Sequence, residues 1–329
     1  MTVLVVHPTP RPFIELDIDL LRSAFAVRAV HVRFAPRRRF AADMWTALRG
    51  VLWADVVVAW FGGLHALLPF LLARLLGKRC AVVASGVDVA NEPAIGYGHM
   101  RGGPLRWIGR LVFRLAHRVF AVSEHAAREA QRNAGVPTPK LEVVPHGVPA
   151  LPNTAADEQR SGVITAATVN AQTLRVKGLE TFFQAAALLP AIPFRLIGGG
   201  SGAALDALRR SAPPNVSFVG WLDRDALSRQ MRRARVYVQI SAYESFGMAL
   251  AEAMLHGCLP VVTERGALPE VVGPVGWYVP YGDPEATAAA IREALAAPPS
   301  AAERARRRIR EHFPLETRRR RLVAALRAL

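Results

Sequence analysis

Cysteine is scarce in this sequence, with only Cys80 and Cys258 among 329 residues. The two lie far apart, and each stands in or beside an apolar run, which is typical of buried thiols in a reducing compartment. Neither a disulfide framework nor a cysteine-based zinc site is therefore indicated. The 9 histidines are scattered, without an H-E-x-x-H pattern or a paired cysteine-histidine spacing.

Long apolar runs are also missing. The longest apolar segment, 64–76, is interrupted by Pro69 and Arg74. It is shorter than the roughly 20 residues that a membrane-spanning helix needs. The amino terminus, Met1–Val6, has no basic residue before its apolar stretch, which favours a first strand over a secretion signal. These features predict a cytoplasmic protein.

Acidic residues are outnumbered, with 26 Asp and Glu against 42 Lys and Arg and a net charge of +16. Arginines concentrate at 37–39, 306–308 and 318–321, and such an excess favours an acidic partner. We do not expect nucleic acid, because no familiar binding module or basic-aromatic platform is present. An anionic membrane surface is preferred, which would place the protein on the inner face of a membrane. The other interpretation is an arginine-rich composition on solvated faces.

Apolar residues are abundant and follow a regular order. With 51% hydrophobic residues, a chain of 329 residues is long for one domain and predicts two. Short β-type runs alternate with helical patterns, which indicates parallel sheets covered by helices on both faces. The runs are Val3–Val6, Ala29–Val32, Asp55–Ala59, Cys80–Ala84, Val119–Val122, Leu141–Val144, Val163–Ala167, Phe194–Ile197, Val216–Val219, Arg235–Gln239, Leu259–Val262 and Trp277–Val279.

A polar, proline-marked stretch separates the two halves. We predict an amino-terminal domain over 1–149, a linker over 150–161 and a carboxyl-terminal domain over 162–304. A basic terminal helix over 305–329 is expected to pack back on the body. The predicted fold class is α/β, with two doubly wound, Rossmann-like domains facing a cleft. In such sheets, ligands bind outside the carboxyl ends of the strands.

The most informative segment runs from Glu244 to Glu252, where an apolar strand gives way to a helix beginning around Gly247. The free amides at a helix start suit a phosphate, whereas carboxylates accept short hydrogen bonds from hydroxyl groups. At about 1.5 Å per residue, Glu252 would lie roughly 9 Å along the helix. That layout fits a nucleotide-sugar. The simpler interpretation is an amphipathic helix with one capping and one solvated glutamate.

Two further segments in this half suggest phosphate binding. Lys177 and Gly178 stand between a strand and an amphipathic helix, where a lysine can meet a diphosphate; a solvated loop lysine fits equally well. Gly198, Gly200 and Ala203 satisfy G-x-G-x-x-A, the dinucleotide fingerprint in its weakest form. The acidic residue that would confirm this fingerprint is missing after the next strand. A nicotinamide-dependent oxidoreductase therefore stays an alternative.

Two D-x-D patterns raise the question of a metal that holds a diphosphate. Asp17 and Asp19 lie in an amphipathic segment, where both acids are expected on the solvent side. Asp223 and Asp225 lie in a loop at a helix entry. We expect a metal at neither pattern.

These segments together resemble the donor-binding half of the family-four retaining glycosyltransferases, which have the two-domain GT-B fold. The resemblance extends from Val163 to about Glu293, with looser matches at 122–123, 143–148 and 85–88. The matching pieces are Lys177-Gly178, Leu196–Ser201, Asn215–Gly220, Ala234–Ser241, Glu244–Glu252, Gly257–Val262, Leu268–Glu270 and Gly282–Glu285.

The resemblance implies a role for each matching position. Lys177 would meet the donor diphosphate and Glu244 the donor sugar, which makes them the candidate catalytic pair. No metal and no cofactor is implied, since the nucleotide-sugar is a substrate. The donor-binding positions are the amides of Phe246, Gly247 and Met248, the Glu252 carboxylate at the ribose, and the backbone near Gly220 at the base.

The sequence departs from the family pattern at three places. Residues 171–172 are Ala and Gln where family members carry an arginine, and Arg175 is the candidate substitute. The glycine-rich loop after the first strand is replaced by the proline-rich stretch 7–12. In the acceptor-side loop, Ser85 occupies the position of a frequent histidine, so Asp88 is the remaining acceptor-side candidate beside it.

The sequence therefore predicts a metal-independent retaining glycosyltransferase of the hexosyltransferase type. It would move a sugar from a nucleotide-sugar to a lipid-linked or saccharide acceptor, in glycolipid or surface polysaccharide synthesis. Three alternatives stay open: the oxidoreductase, a GT-B epimerase or phosphorylase, and a non-catalytic basic module that binds lipid or nucleic acid.

Overall fold

The computed structural model describes residues 1–150, 160–200 and 202–329. The described chain forms two compact units. The first consists of Met1–Gly147 together with Leu315–Leu329, and the second of Val148–Pro314. Residues 151–159, which make up most of the predicted linker, lie outside the described residues, and so does Ser201 of the glycine-rich motif.

The first unit is built on a parallel sheet. Its described strands are β1 (Thr2–His7), β2 (Ala26–His31), β3 (Val56–Trp60), β4 (Arg79–Ala84), β5 (Arg118–Ala121) and β6 (Leu141–Val143). They pair in parallel in the order β2-β1-β3-β4-β5-β6. β1, β3 and β4 are buried over almost their whole length, which explains why they are continuous apolar runs instead of alternating ones.

Helices connect these strands. The described helices are α1 (Pro12–Arg22), α2 (Arg37–Trp53), α3 (Leu64–Leu75), α4 (Gly103–Leu115) and α5 (Glu124–Glu129). Single helical turns lie at Pro93–Ile95, His99–Arg101, Ala130–Ala134 and Thr138–Lys140. The buried sides of α2, α3 and α4 contribute Val51, Phe70 and Phe113 to one continuous core with the strands.

The second unit repeats this plan. Its described strands are β7 (Val163–Thr168), β8 (Phe194–Gly199), β9 (Val216–Gly220), β10 (Val236–Gln239), β11 (Leu259–Thr263) and β12 (Trp277–Val279). Its described helices are α6 (Ala171–Lys177), α7 (Leu179–Ala187), α8 (Ala203–Ser211), α9 (Arg224–Arg233), α10 (Met248–Leu255), α11 (Leu268–Val272), α12 (Pro284–Ala296) and α13 (Pro299–His312), with one further helical turn at Gly273–Val275.

The strand order of the second sheet reverses at one point. The order is β12-β11-β10-β7-β8-β9, so the chain runs outward from β7 through β8 to β9 and then returns to β10 on the other side of β7. All these pairings are parallel. A reversal of this kind opens a crevice at the carboxyl ends of the two central strands, where ligands bind in open α/β sheets. The predicted α/β class with two doubly wound sheets is confirmed.

The last helix, α14 (Leu315–Arg327), packs on α1 in the first unit. Its Arg318 is buried, and its Nε and Nη2 atoms each donate a 2.6 Å hydrogen bond to the Asp17 carboxylate. Nη1 donates to the carbonyl oxygens of Val144 and Pro145. The expectation that Asp17 lies on the solvent side of α1 is therefore wrong, because α14 covers that side.

The basic segment 305–329 also differs from the expectation of one terminal helix. It belongs to two helices, α13 and α14, which end at His312 and begin at Leu315. Pro314 lies between them, and proline disfavours continuation of a helix because it lacks an N–H and its ring clashes with the preceding turn. The break divides the segment, so that α13 belongs to the second unit and α14 to the first.

We predict that Asp17→Asn destabilises the protein by about 3 kcal/mol, because it leaves a buried guanidinium without its counter-charge. The matched control is Asp19→Asn on the same helix, whose carboxylate is 68% exposed and pairs with Arg22. Exposed ion pairs of this kind contribute about 0–1 kcal/mol. Urea unfolding measures both variants, and equal losses of stability would contradict the structural role of the Asp17–Arg318 pair.

Candidate active site at the switch point of the second unit

Lys177 lies at the end of a short helix that leaves β7. Asn170 caps α6, and its side chain accepts hydrogen bonds from the amides of Gln172 and Thr173. The helix ends at Gly178, which has a φ of 64°. A Cβ at this position would collide with the carbonyl oxygen of Ile240. Glycine therefore allows α6 to end against the exit of β10, and Lys177 is placed there.

Glu244 meets Lys177 at this point. The Lys177 ammonium donates a 2.5 Å hydrogen bond to Oε2 of Glu244, and the Gln239 amide donates to the same oxygen. The lysine side chain is 28% exposed and that of the glutamate 13%. The Ala267 amide donates to the backbone carbonyl of Glu244 at 2.8 Å, which fixes the loop. The structure thus brings the predicted catalytic pair together in a partly buried ion pair.

The start of α10 follows four residues later. Gly247 has a φ of 99° and is the residue just before the helix. The sequence pattern predicts it in the first turn. No side chain caps α10 at Gly247. The first amides of a helix have no intrahelical partner, so those of α10 are not satisfied by a capping side chain. Met248 is the first helical residue, while the Phe246 ring is buried and packs edge-on against Phe313 at 5.2 Å. The backbone amides of this turn are therefore the candidate phosphate ligands.

Glu252 lies on α10 beside a cavity of about 560 Å³. Burial raises the pKa of its carboxyl, and the charge of Arg224 opposes the rise. Cavities of roughly 300–1,000 Å³ are typical of small-molecule sites. The side chains around this one include Arg224, Leu227, Ser228, Met231, Glu252 and His256.

A neutral histidine also lines this cavity. Burial, followed by the charges of neighbouring arginines, lowers the pKa of His256 to about 4. The imidazole is therefore uncharged at neutral pH. Its Nε2 atom lies 3.0 Å from Oγ of Ser228, within hydrogen-bond distance. The cavity therefore combines carboxylates, guanidinium groups and a neutral hydroxyl–imidazole pair, which suits a polar ligand with several hydroxyl groups.

The charges of both acids affect one buried phenol. Burial raises the pKa of Tyr237 in β10, and the charges of Glu244 and Glu252 add to the rise. Both carboxylates are therefore within electrostatic range of one side chain. The ion pair of Lys177 and the cavity of Glu252 consequently belong to one region, around β10 and the helix that follows it.

Two other predicted donor residues lie on α6 and at the end of β9. The side chain of Arg175 in α6 is exposed, and its backbone carbonyl accepts a 2.6 Å hydrogen bond from the Tyr281 hydroxyl. Gly220 ends β9 at the edge of the sheet and is followed by Trp221, which is 69% exposed. The roles of Arg175 and Gly220 at the donor stay predictions.

The glycine-rich motif after β8 packs against β7. A Cβ at Gly198 would collide with the Ala167 carbonyl, and one at Gly200 with the Val169 carbonyl. These contacts explain both glycines by close backbone packing. The oxidoreductase alternative therefore gains no support from the motif.

In the first unit, Asp88 and Ser85 hold a loop. Asp88 is fully buried, and its carboxylate accepts hydrogen bonds from the amides of Gly62 at 3.0 Å and Ser85 at 3.2 Å. Burial raises the pKa of Asp88 to about 6, against the opposing effect of these amides. The neighbouring Phe61 has a φ of 69°, the one positive value outside glycine in the described residues. Such strain in a non-glycine residue is common at functional sites.

Sequence reasoning missed several residues of these regions. Gln239 lies in a matching segment but had no predicted role, and Ser228 and His256 stand in no motif. Only the spatial arrangement shows the position of these residues beside the two acids. Phe61 could not be found either, since nothing in its sequence neighbourhood except Gly62-Gly63 signals an unusual backbone. The acids of the D-x-D patterns have other partners: Asp17 binds Arg318, and Asp223 caps α9 by accepting from Ala226.

The chain matches two family models. Residues 161–297 match "Glycosyl transferases group 1", and residues 1–150 match "Glycosyltransferase Family 4". Among curated relatives, D-inositol 3-phosphate glycosyltransferase of Mycolicibacterium gilvum is 31% identical over 61% of this chain and 50% of the relative. Phosphatidyl-myo-inositol mannosyltransferase of Mycobacterium tuberculosis is 32% identical over 33% of this chain and 29% of the relative. The chain thus spans about half or less of their length.

A solved structure shares the fold along the whole chain. Anabaena Alr3699/HepE in complex with UDP superposes with a TM-score of 0.78 at 15% identity, covering 100% of both chains. At this identity the similarity establishes the architecture alone.

The pKa of Asp88 gives a prediction about stability. The pKa of an aspartate in an unfolded chain is about 3.9. Between about pH 4 and 6, Asp88 therefore binds more protons in the folded protein than in the unfolded chain. Stability from this group is therefore greatest at low pH and falls as the pH rises towards 6. The unfolding free energy of the wild type relative to Asp88→Asn should decrease across this interval and level off above it. Urea melts at several pH values measure this difference, and a flat profile would contradict it.

Proposed function

The two halves of the chain belong to glycosyltransferase family 4 and to the group 1 glycosyl transferases, and from this premise we propose that the protein transfers a sugar from a nucleotide-sugar. The sugar passes to an acceptor hydroxyl with retention of anomeric configuration. The observation that carries this proposal is the contact between Lys177 and Glu244 just before α10, the helix that carries Glu252 beside its nucleoside-sized cavity. No metal and no cofactor takes part.

The nucleoside of the donor occupies the cavity beside Glu252. The carboxylate accepts hydrogen bonds from the ribose hydroxyls, and Arg224 lies close enough to influence its charge. The backbone near Gly220 meets the base. Ser228 and His256 are the neutral polar groups that line the same cavity.

The diphosphate lies between the start of α10 and Lys177. Without donor, the ammonium is held by Glu244. When donor binds, the phosphate oxygens take over the ammonium, and Glu244 becomes free to accept hydrogen bonds from the sugar hydroxyls. Gln239 keeps the glutamate in place during this exchange, because it donates to the same carboxylate oxygen. The exposed Arg175 on α6 adds a second cation to this side.

Transfer breaks the bond between the anomeric carbon and the phosphate oxygen. Negative charge develops on the leaving diphosphate, where the ammonium of Lys177 and the amides of Phe246, Gly247 and Met248 stabilise it. The acceptor oxygen forms the new bond on the same face of the sugar, and its proton passes to the leaving phosphate oxygen. Nucleophilic protein side chains are not needed for this route.

The acceptor is a lipid-linked or free saccharide, in glycolipid or surface polysaccharide synthesis. Support comes from the names of three relatives, which mention D-inositol 3-phosphate, phosphatidyl-myo-inositol and the O-antigen chain. Ser85 and Asp88 form the acceptor side in the first unit, with Asp88 as a positioning residue that acts through Gly62 and the strained Phe61. Nucleic acid is not a partner in this proposal.

An anionic membrane surface is the proposed partner, with the protein peripheral on the cytoplasmic side. The excess of basic residues supports this part of the proposal. A lipid-linked acceptor would be met at the same surface.

We expect UDP, GDP or ADP to raise the melting temperature, because a ligand at a hundred times its dissociation constant stabilises the folded state by about 2.7 kcal/mol. Glu252→Gln should weaken the affinity for the responding nucleotide roughly tenfold or more, since a charge-assisted hydrogen bond is lost. Glu311→Gln, an exposed change in the same unit, is the control. Stabilisation by NADH alone would favour the oxidoreductase and overturn the proposal.

We expect Lys177→Ala to lower turnover by more than tenfold, on the order of the loss seen when one oxyanion donor is removed. The measurement is release of nucleoside diphosphate from the responding sugar nucleotide, with Arg304→Ala as a control that removes an exposed cation from the same unit. Unchanged turnover in the lysine variant would remove Lys177 from the site.

A further inference from the structure

Helix α3 of the first unit carries leucines on its outer side. Leu64, Leu68, Leu71 and Leu75 are 37%, 45%, 41% and 83% exposed. Their spacing of four, three and four residues places them on one face of the helix. The opposite face, which includes Phe70, is buried in the core. The stripe is therefore a second apolar face that the described first unit leaves partly exposed.

Helix α4 extends this apolar surface. It packs beside α3 and exposes Leu105, Trp107 and Leu111 by 46%, 67% and 41%. We name the combined area the α3–α4 surface. Its members are Leu64, Leu68, Leu71, Leu75, Leu76, Leu105, Trp107 and Leu111. Monomeric soluble proteins rarely expose so many large apolar side chains together, and such a patch marks an interaction site.

The charge around this surface has one sign. The segments 56–87 and 93–123, which contain α3 and α4, have no Asp or Glu. Their exposed cations include Arg74, Arg79 and Arg114. The helices that carry the apolar surface thus bear exposed positive charge and no acid.

Two of the three arginine runs noted in the sequence, 306–308 and 318–321, make contacts within their own units. Arg318 is buried against Asp17, and Arg308 donates to the carbonyls of Glu270 and Val271. Arg321 lies 3.5 Å from Glu142. The runs 306–308 and 318–321 are therefore partly structural, and their charge is a poor guide to the membrane-facing side.

We propose that the α3–α4 surface docks onto an anionic lipid bilayer, an inference that rests on the membrane partner proposed above but not on sugar transfer. The leucines and Trp107 enter the interfacial region, while the arginines meet lipid phosphates. Tryptophan suits this depth, since one end of the ring is apolar and the other polar. Among the described residues, no helix is long and apolar enough to cross a membrane, so α3 and α4 lie along the surface.

Charge decides between a bilayer and a second copy of the chain. In a symmetric dimer through this surface, two faces without acids and with the same cations would oppose each other. Like charges at such short range destabilise a contact. An anionic bilayer instead supplies the complementary charge, with about 1 kcal/mol for each basic residue near the membrane.

The test uses the full chain and sedimentation with vesicles of phosphatidylcholine, with and without phosphatidylglycerol. The wild type should bind the anionic vesicles at low salt and release them at high salt. The double variant Leu71→Glu/Leu75→Glu should bind these vesicles at least about tenfold more weakly, because it replaces two apolar contacts with charges that the anionic lipid repels. Leu188→Glu, at a leucine 43% exposed in the second unit, is the matched control and should bind as the wild type does.

The rise in melting temperature on nucleotide binding tests the proposed function separately from this inference. The double variant should keep the wild-type melting temperature and nucleotide response, since both leucines are exposed in the first unit. Loss of vesicle binding with normal nucleotide binding supports the surface alone. Equal vesicle binding by the double variant, or no binding by the wild type, overturns it. Concentration-dependent dimers that the double variant abolishes would assign the surface to a second copy instead.

Discussion

The candidate site depends on the close approach of α6 to the end of β10. Gly178 allows this approach because it has no side chain to collide with the Ile240 carbonyl. The ammonium of Lys177 therefore reaches Glu244, which is itself held by Gln239 and by the Ala267 amide. The proposed stabilisation of a leaving diphosphate thus depends on backbone packing as much as on charge.

The first unit depends on a different contact, the buried pair of Arg318 and Asp17. It joins α14 to α1, and the same guanidinium satisfies two carbonyls that follow β6. Close by, His146 stacks on Trp60 at 5.8 Å, and burial lowers the pKa of this histidine well below its ordinary value. This cluster is therefore neutral at the histidine and charged only in its compensated pair. It explains how the last residues of the chain become part of the first unit.

Two kinds of surface charge must be separated to understand the basic composition. Arginines in α13 and α14 mostly bind carboxylates and carbonyls within their own units. Those of α3 and α4 lie on the same helices as exposed leucines, in segments without acids. Net charge measures their sum, whereas a docking surface depends on which cations face solvent beside apolar side chains.

The sequence alone determined the α/β class, because continuous apolar runs such as 236–240 have few alternatives to buried parallel strands, and β10 indeed spans Val236–Gln239. It placed β2 less well, at 29–32 instead of Ala26–His31, since this edge strand is only half-buried and lacks a continuous apolar run. It also located Lys177, Glu244 and Glu252, whose spacing relative to strands and helices is local.

Only the tertiary structure decided which of these residues meet. Gln239, Ser228 and His256 join the acids, and Arg318 finds Asp17, through contacts between elements that are distant in the sequence. Local periodicity reports which side of a helix is apolar, but it carries no information on the element that covers that side. Partner choice is set by packing, which is why the solvent-side expectation for Asp17 failed while the strand and helix pattern succeeded.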